Sequence, residues 1–263
     1  MIPLFLQASL LIWVLVTLLW VWSILIKNVS IVDIFWGLGF VAVNALYVFG
    51  TGDLNPRKIL ILVLVMVWGL RLAIYLAIRN TGKGEDFRYR QFRSNYGHDR
   101  YWWISYFQTF LLQGFLIMIV SLPLLGISGS DHPGNLNLLD YLGIIVWLIG
   151  FVFEAGGDYQ LWRFRKDPGN KGKVLDTGFW RYTRHPNYFG DSAVWWSYAI
   201  ISIAAGSYWQ ALGSVLMTLL IIRVSGIALL EKTLKPAKTG YQDYIQKTSS
   251  FFPWFPKEKP NNH

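Results

Sequence analysis

Cysteine is absent from the 263 residues. That excludes disulfides, thiolate metal sites and cysteine nucleophiles, and it leaves the redox compartment open. Charge is scarce too: Asp, Glu, Lys and Arg make up 15% of the chain, against 54% hydrophobic and 17% aromatic residues. A soluble domain of this length carries more charge and fewer apolar residues. No polar stretch is long enough for a separate soluble domain, so a single integral membrane domain over residues 1–263 is expected. No metal-ligand spacing relates the four histidines, His98, His132, His185 and His263. No basic leader and no small-residue cleavage signature accompany the first apolar run, which reads as a retained helix. A Rossmann fingerprint is missing as well, because no strand pattern precedes the Gly82-Lys83-Gly84 triplet.

What the chain has in quantity is apolar runs of about the 20 residues that cross a bilayer. They fall at about 4–26, 31–49, 57–79, 104–127, 138–162, 188–205 and 208–230. The expected fold is therefore all-α: a polytopic integral membrane protein of about seven transmembrane helices. The formal net charge of +9 is unevenly spread. Segments 79–103, 162–188 and 232–263 hold 6, 7 and 6 of the 24 Lys and Arg residues. With seven spans these segments share one side, which the positive-inside rule makes cytoplasmic. Cations that alternate with apolar spans orient a membrane protein, whereas nucleic-acid binders carry theirs on a soluble face. Nucleic acid is not an expected partner; membrane lipids are.

Several polar residues stand out within or beside the spans. Asp33 opens the second, either as an acid favourable to the helix dipole or as a functional group at membrane depth. Arg71 lies past the middle of the third, either snorkelling to the interface or, the favoured reading, facing inward as a cation of the bundle. Residues 80–103 read as a loop in which arginines, tyrosines and two glycines suit phosphate and ring contacts. Glu154, Gly156, Gly157 and Asp158 would be poor choices against lipid and imply a close polar helix contact or the edge of a site.

The most informative stretch is Lys166–Asp191, KDPGNKGKVLDTGFWRYTRHPNYFGD. A cationic loop that ends in Arg184-His185-Pro186-Asn187-Tyr188 and runs into an apolar helix has the features of an anion site at a helix start. Arg163, Arg165, Lys173, Arg181, Arg184 and His185, interleaved with Trp180, Tyr182 and Tyr188, suit a dinucleotide: charge for phosphates, flat rings for bases.

The run Thr177–Asp191, TGFWRYTRHPNYFGD, resembles the signature of the steroid 5-alpha-reductase-like membrane proteins, and within them the bacterial branch known as the DUF1295 family. The likeness extends through Ser30-Ile31-Val32-Asp33, Trp36-Gly37, Trp68-Gly69-Leu70-Arg71, Gly84–Tyr89 and Leu229-Leu230-Glu231-Lys232. It implies a seven-helix oxidoreductase that uses NADPH to saturate a C=C bond conjugated to a ketone in a lipid-soluble substrate, from a bacterial inner membrane with its cofactor site on the cytoplasmic side. The nucleotide-binding half would be roughly 79–263. By position the resemblance implies cofactor contacts at Asp158, Arg165, Asn187 and Asp191, an arginine match at Arg71 and a phosphate-contacting loop around Arg79 and Asn80. Lys173, Arg181, Arg184 and His185 of the cationic loop, and Glu231, complete the expected cofactor-binding set. Asp33, Tyr182, Tyr188 and Asp191 are the catalytic candidates. The steroid enzymes' ketone-holding Tyr corresponds to Trp68, and Asp33 is the candidate for their Glu. Two alternatives stay open: an S-adenosylmethionine-dependent methyltransferase of the isoprenylcysteine type, and a non-catalytic lipid-binding membrane protein.

Overall fold

Residues 1–130, 135–224 and 240–257 are described by the computed structural model, and every regular element among them is helical. Among the described residues, five helices are long and apolar enough to cross a membrane, spanning Ile2–Leu25, Ile31–Phe49, Pro56–Asn80, His98–Val120 and Leu138–Lys166. The expected sixth span is the helix Pro186–Ala204, interrupted by Asn187, Asp191 and several serines. The expected seventh begins with the short apolar segment Trp209–Arg223, and its continuation lies outside the described residues.

The chain folds as two compact units. The first comprises Met1–Asn137 and Ile201–Gly213. It holds α1 (Ile2–Leu25), α2 (Ile31–Phe49), α3 (Pro56–Asn80), α4 (Phe87–Tyr96), α5 (His98–Ser105), α6 (Leu112–Val120) and α7 (Leu122–Ser128). Its core is built from Phe40, Tyr47, Ile61, Trp68, Phe110, Ile117 and Leu124, none of which reaches the surface. Helices α2 and α3 meet backbone to backbone: a Cβ placed on Gly37 would lie 2.5 Å from the Gly69 carbonyl oxygen. Small residues allow this approach, and between membrane helices close packing takes the place of a hydrophobic drive. The helix α3 starts where Pro56 follows Asn55, whose side chain accepts from the Lys58 N–H.

Two features of this unit differ from the sequence reading. Residues 80–103 are not one loop, because α4 occupies 87–96. Asp86 caps it by accepting from the Arg88 N–H, and Gly97, at φ +84°, ends it. The fourth span also starts earlier, at His98, and passes through a wide turn at Tyr106–Leu111. It breaks at Ser121, just ahead of Pro123 in the first turn of α7, since proline removes a donor and clashes with the preceding turn.

The second unit comprises Leu138–Ile200 and Ser214–His263. It holds α8 (Leu138–Lys166), α9 (Phe179–Tyr182), most of α10 (Pro186–Ala204), α11 (Leu212–Leu219) and α12 (Tyr241–Lys247). Here too glycine sets the helix spacing. A Cβ on Gly150 would lie 2.7 Å from both the Gly190 carbonyl oxygen and the Val194 N–H nitrogen. Trp195 and Tyr198 fill the core of α10, with the Trp147 indole N–H donating to the Tyr198 hydroxyl at 3.1 Å.

Candidate functional site

In the second unit the signature stretch is held between α8 and the carboxy-terminal segment. Pro186 opens α10, where the missing N–H is no loss. Ahead of it, the Thr183 hydroxyl accepts from the His185 N–H at 3.3 Å and donates to the Phe251 carbonyl at 2.9 Å. Arg184 is nearly buried, and its guanidinium donates to the carbonyls of Ile245 (3.1 Å) and Thr248 (2.7 Å). The Arg184 N–H adds a bond to the Ser249 carbonyl at 2.8 Å. The cation therefore ties the helix start to the chain end through α12. Tyr244 reinforces the tie by donating its phenol to the Trp180 carbonyl, and burial pushes that phenol well above its ordinary value.

Against α8, the Trp180 indole donates to the Gly157 carbonyl at 3.1 Å, and Gly157 lets Pro186 and Asn187 approach the helix. Asn187 donates its amide to the Asp158 carboxylate at 3.1 Å, and Asp158 is buried. The polar contact expected from the Glu154–Asp158 sequence is thus the α8–α10 seam. The two adjacent glycines serve different neighbours: Gly157 faces the start of α10, and Gly156 faces the Phe179 ring.

Buried His185 stacks on Tyr188 at 5.5 Å and 13° between ring planes. Asp191 lies one turn further along α10 and is half-buried. Arg165, Lys173 and Arg181 are exposed, as is Tyr182, whose ring packs edge-on against Phe255 at 6.0 Å. Asp158, Asn187, His185, Tyr188 and Arg184 thus surround the first turn of α10, with the exposed cations on the flanking chain.

The first unit gathers a second polar group. The Asp33 carboxylate accepts from the Arg88 guanidinium at 2.7 Å and from the Tyr89 phenol at 2.6 Å. Ser30 accepts from the Asp86 N–H at 2.6 Å, and Glu85 accepts from the Val29 N–H and pairs with Arg93 at 2.9 Å. These bonds fasten α4 to the start of α2. Burial pushes the Tyr89 phenol well above its usual value, and the Asp33 charge adds to this. Burial raises the Asp86 carboxyl as well, but the hydrogen bonds and charge of Arg88, with the Arg79 charge, outweigh it and leave the carboxyl below its usual value. Arg79 bonds its neighbour Asn80 at 3.2 Å, and Arg71 is half-buried within α3.

Sequence reasoning missed the partners: Arg88 and Tyr89 for Asp33, and Tyr244 and Thr248 for the signature loop. A lone acid at a membrane helix start signals a missing cation, but nothing in the spacing identifies which one. Glu231 lies outside the described residues.

Comparison with known proteins gives partial likenesses. An uncharacterized protein of Schizosaccharomyces pombe is 24% identical over 95% of this chain and 79% of its own length. A Delta(14)-sterol reductase of Aspergillus fumigatus is 33% identical over 91 residues, 29% of this chain. A Delta(14)-sterol reductase of Ascobolus immersus is 31% identical over 85 residues, 27% of this chain. The match spans only 18% and 20% of those two reductases' lengths. These relatives are fungal, so they lend nothing to a bacterial source. No solved structure matches the chain. The family model described as "Protein of unknown function (DUF1295)" matches residues 19–248, most of the sequence, and the chain belongs to that family.

Proposed function

We propose that the chain is a membrane reductase that saturates a C=C bond conjugated to a ketone in a lipid-soluble, steroid-like or isoprenoid substrate, with NADPH as reductant. The observation that carries this reading is the 33% identity to a sterol reductase over 91 residues, in a polytopic membrane protein. When bound, NADPH supplies the hydride for the β-carbon, and a proton completes the reduction at the α-carbon.

The residues around the first turn of α10 suit such a group chemically. The buried Asp158–Asn187 pair offers an acceptor and an amide to sugar hydroxyls or a carboxamide. Arg165, Lys173 and Arg181 are exposed cations suited to phosphates. His185 and Tyr188 present stacked rings. Arg184, bonded to tail carbonyls, acts as a positioning residue for that turn. Arg71, Arg79, Asn80 and Glu231 remain binding candidates on the resemblance. The enolate that develops on the substrate needs a donor in a dry site. Tyr182, Tyr188 and His185 are candidates, and Asp33 or Asp191 can serve only when protonated, which for Asp33 means giving up the Arg88 ion pair. The whole protein would lie with the cation-rich segments in the cytoplasm.

The test is a thermal-shift titration of purified protein in detergent with NADPH and, separately, S-adenosylmethionine. NADPH stabilises the wild type, and Asn187→Ala weakens its binding by roughly tenfold, the loss of one buried hydrogen bond to a polar ligand. Stabilisation by S-adenosylmethionine and not by NADPH would favour the methyltransferase alternative and end the reductase reading.

A further inference from the structure

On the other side of α8 from Asp158 lies a cleft of about 590 Å³ between the end of that helix and the loop that follows it. Residue 158 is two positions from 156, about 200° around a helix of 3.6 residues per turn. The cleft, lined by Gly156, Tyr159, Gln160 and Arg163 on α8, is therefore on the face opposite the Asp158–Asn187 pair. It is a built feature. Gly156 makes room for the Phe179 ring, and the Gln160 amide oxygen accepts from the Phe179 N–H at 3.0 Å, which seats the loop on the helix.

The lining divides by chemistry. Leu175 and Phe179 give an apolar wall, and Arg163 and Thr177 a polar one. Arg163 is exposed and makes no ion pair or hydrogen bond among the described residues. Asp167 also lines the cleft, but its carboxylate is engaged by the Gly169 N–H at 2.8 Å and the Asn170 amide at 3.3 Å. Five cations, Arg163, Arg165, Lys166, Lys171 and Lys173, crowd this helix end and loop.

The same stripe of α8 continues away from the cleft as exposed aliphatic surface. Ile145, Ile149 and Val152 are 55%, 47% and 53% exposed, and with Gly156, Gln160 and Arg163 they follow one another at intervals of three and four residues. Ile145 to Gly156 covers about 16 Å at 1.5 Å per residue, about half of a hydrocarbon layer of about 30 Å. A cationic cup at the interface, with an aliphatic track one leaflet long leading from it, matches one kind of occupant by shape and by charge.

We propose that this cleft is a binding site for an anionic phospholipid, its phosphate at Arg163 and one acyl chain along Val152 and on to Ile149 and Ile145. Arg165 and Lys173 also belong to the nucleotide reading, but the phosphate ligand proposed here is Arg163, which is not among that reading's cofactor contacts, and the lipid need not be reduced.

Native mass spectrometry of delipidated protein in detergent tests it, with phosphatidylglycerol, phosphatidylcholine and NADPH as probes. The wild type retains one phosphatidylglycerol in preference to phosphatidylcholine. Arg163→Glu lowers that retention roughly tenfold, because it replaces an attraction to the phosphate with a repulsion. Arg163→Lys keeps most of it, and Arg100→Glu, at an exposed arginine of the other unit, leaves it unchanged. Equal retention of the two lipids, or full retention by Arg163→Glu, would overturn the proposal. So would displacement of phosphatidylglycerol by NADPH mole for mole, which would make the cleft a nucleotide site. Asn187→Ala reports on the reductase reading separately, since it leaves this face of α8 untouched.

Discussion

Asp33 receives a guanidinium on one carboxylate oxygen and a phenol on the other, so it anchors α4. Asp33→Asn removes one of the two carboxylate charges that Arg88 faces, Asp86 at 2.9 Å being the other. Such a charged hydrogen bond is worth on the order of 1.5–3 kcal/mol, and solvent screening at Arg88, 35% exposed, keeps the expected loss near the lower figure. A thermal melt in detergent should register it as a lower Tm; an unchanged Tm would show that α4 is held by its other bonds. The same cluster has a predictable acid limit. Asp86 is held below its ordinary value in the folded state, so its contribution is present at neutral pH and is lost as pH falls below about 4. Tyr89 is raised instead, so its contribution holds at neutral pH and fades only in strong alkali. Hydrogen-exchange protection of residues 87–96, corrected for intrinsic rates, should therefore stay level from pH 9 to 5 and fall between pH 5 and 3. Protection that began to fail at alkaline pH first would contradict this assignment.

Helices α8 and α10 approach through Gly150, Gly157 and Gly190, and at this scale the prediction concerns a methyl group. Gly190→Ala would drive a Cβ into the backbone of Gly150 and Glu154, which cannot turn aside as a side chain can. Overpacking of this kind costs about 1–3 kcal/mol, more than the ~1 kcal/mol that alanine gains over glycine in helix propensity. The variant should melt lower and bind NADPH more weakly, because the Asp158–Asn187 pair spans the same seam; a variant with wild-type Tm would mean that the helices are not in backbone contact. The glycine and acid cluster at 154–158 was legible in the sequence as a close polar contact. Which glycine meets which neighbour was not, because that depends on the rotation of α8. The helix α4 was hidden for a different reason: in FRYRQFRSNY only Tyr89, Phe92 and Tyr96 keep a helical spacing, among charged and polar neighbours, and its helicity rests on the Asp86 cap and on tertiary bonds to α2. Arg184 reads in sequence as a phosphate ligand, yet in the structure it bonds the main-chain carbonyls of Ile245 and Thr248. A residue's type shows what it could hold and not what lies beside it.

For the molecule as a whole, the five long apolar helices follow directly from the hydropathy of the sequence, because a bilayer admits no cheaper arrangement of such segments. Sidedness rests on charge alone, and the missing cysteines make it measurable. Single-cysteine variants Leu54→Cys, in the exposed turn between α2 and α3, and Lys173→Cys, in the loop after α8, carry no competing thiol. In sealed cells an impermeant maleimide should label the Leu54→Cys variant at once and the Lys173→Cys variant only after lysis. The reverse order would put the cation-rich segments outside, away from cellular NADPH. The carboxy-terminal bonds have a bearing on biogenesis as well. The Arg184 guanidinium and the Tyr182 carbonyl take their partners from Ile245, Thr248 and Trp254, more than 60 residues downstream. A ribosome must deliver those residues before the turn ahead of α10 acquires its native bonds. Until then the turn stands without them, so a chain cut short before residue 245 leaves that end of α10 untied.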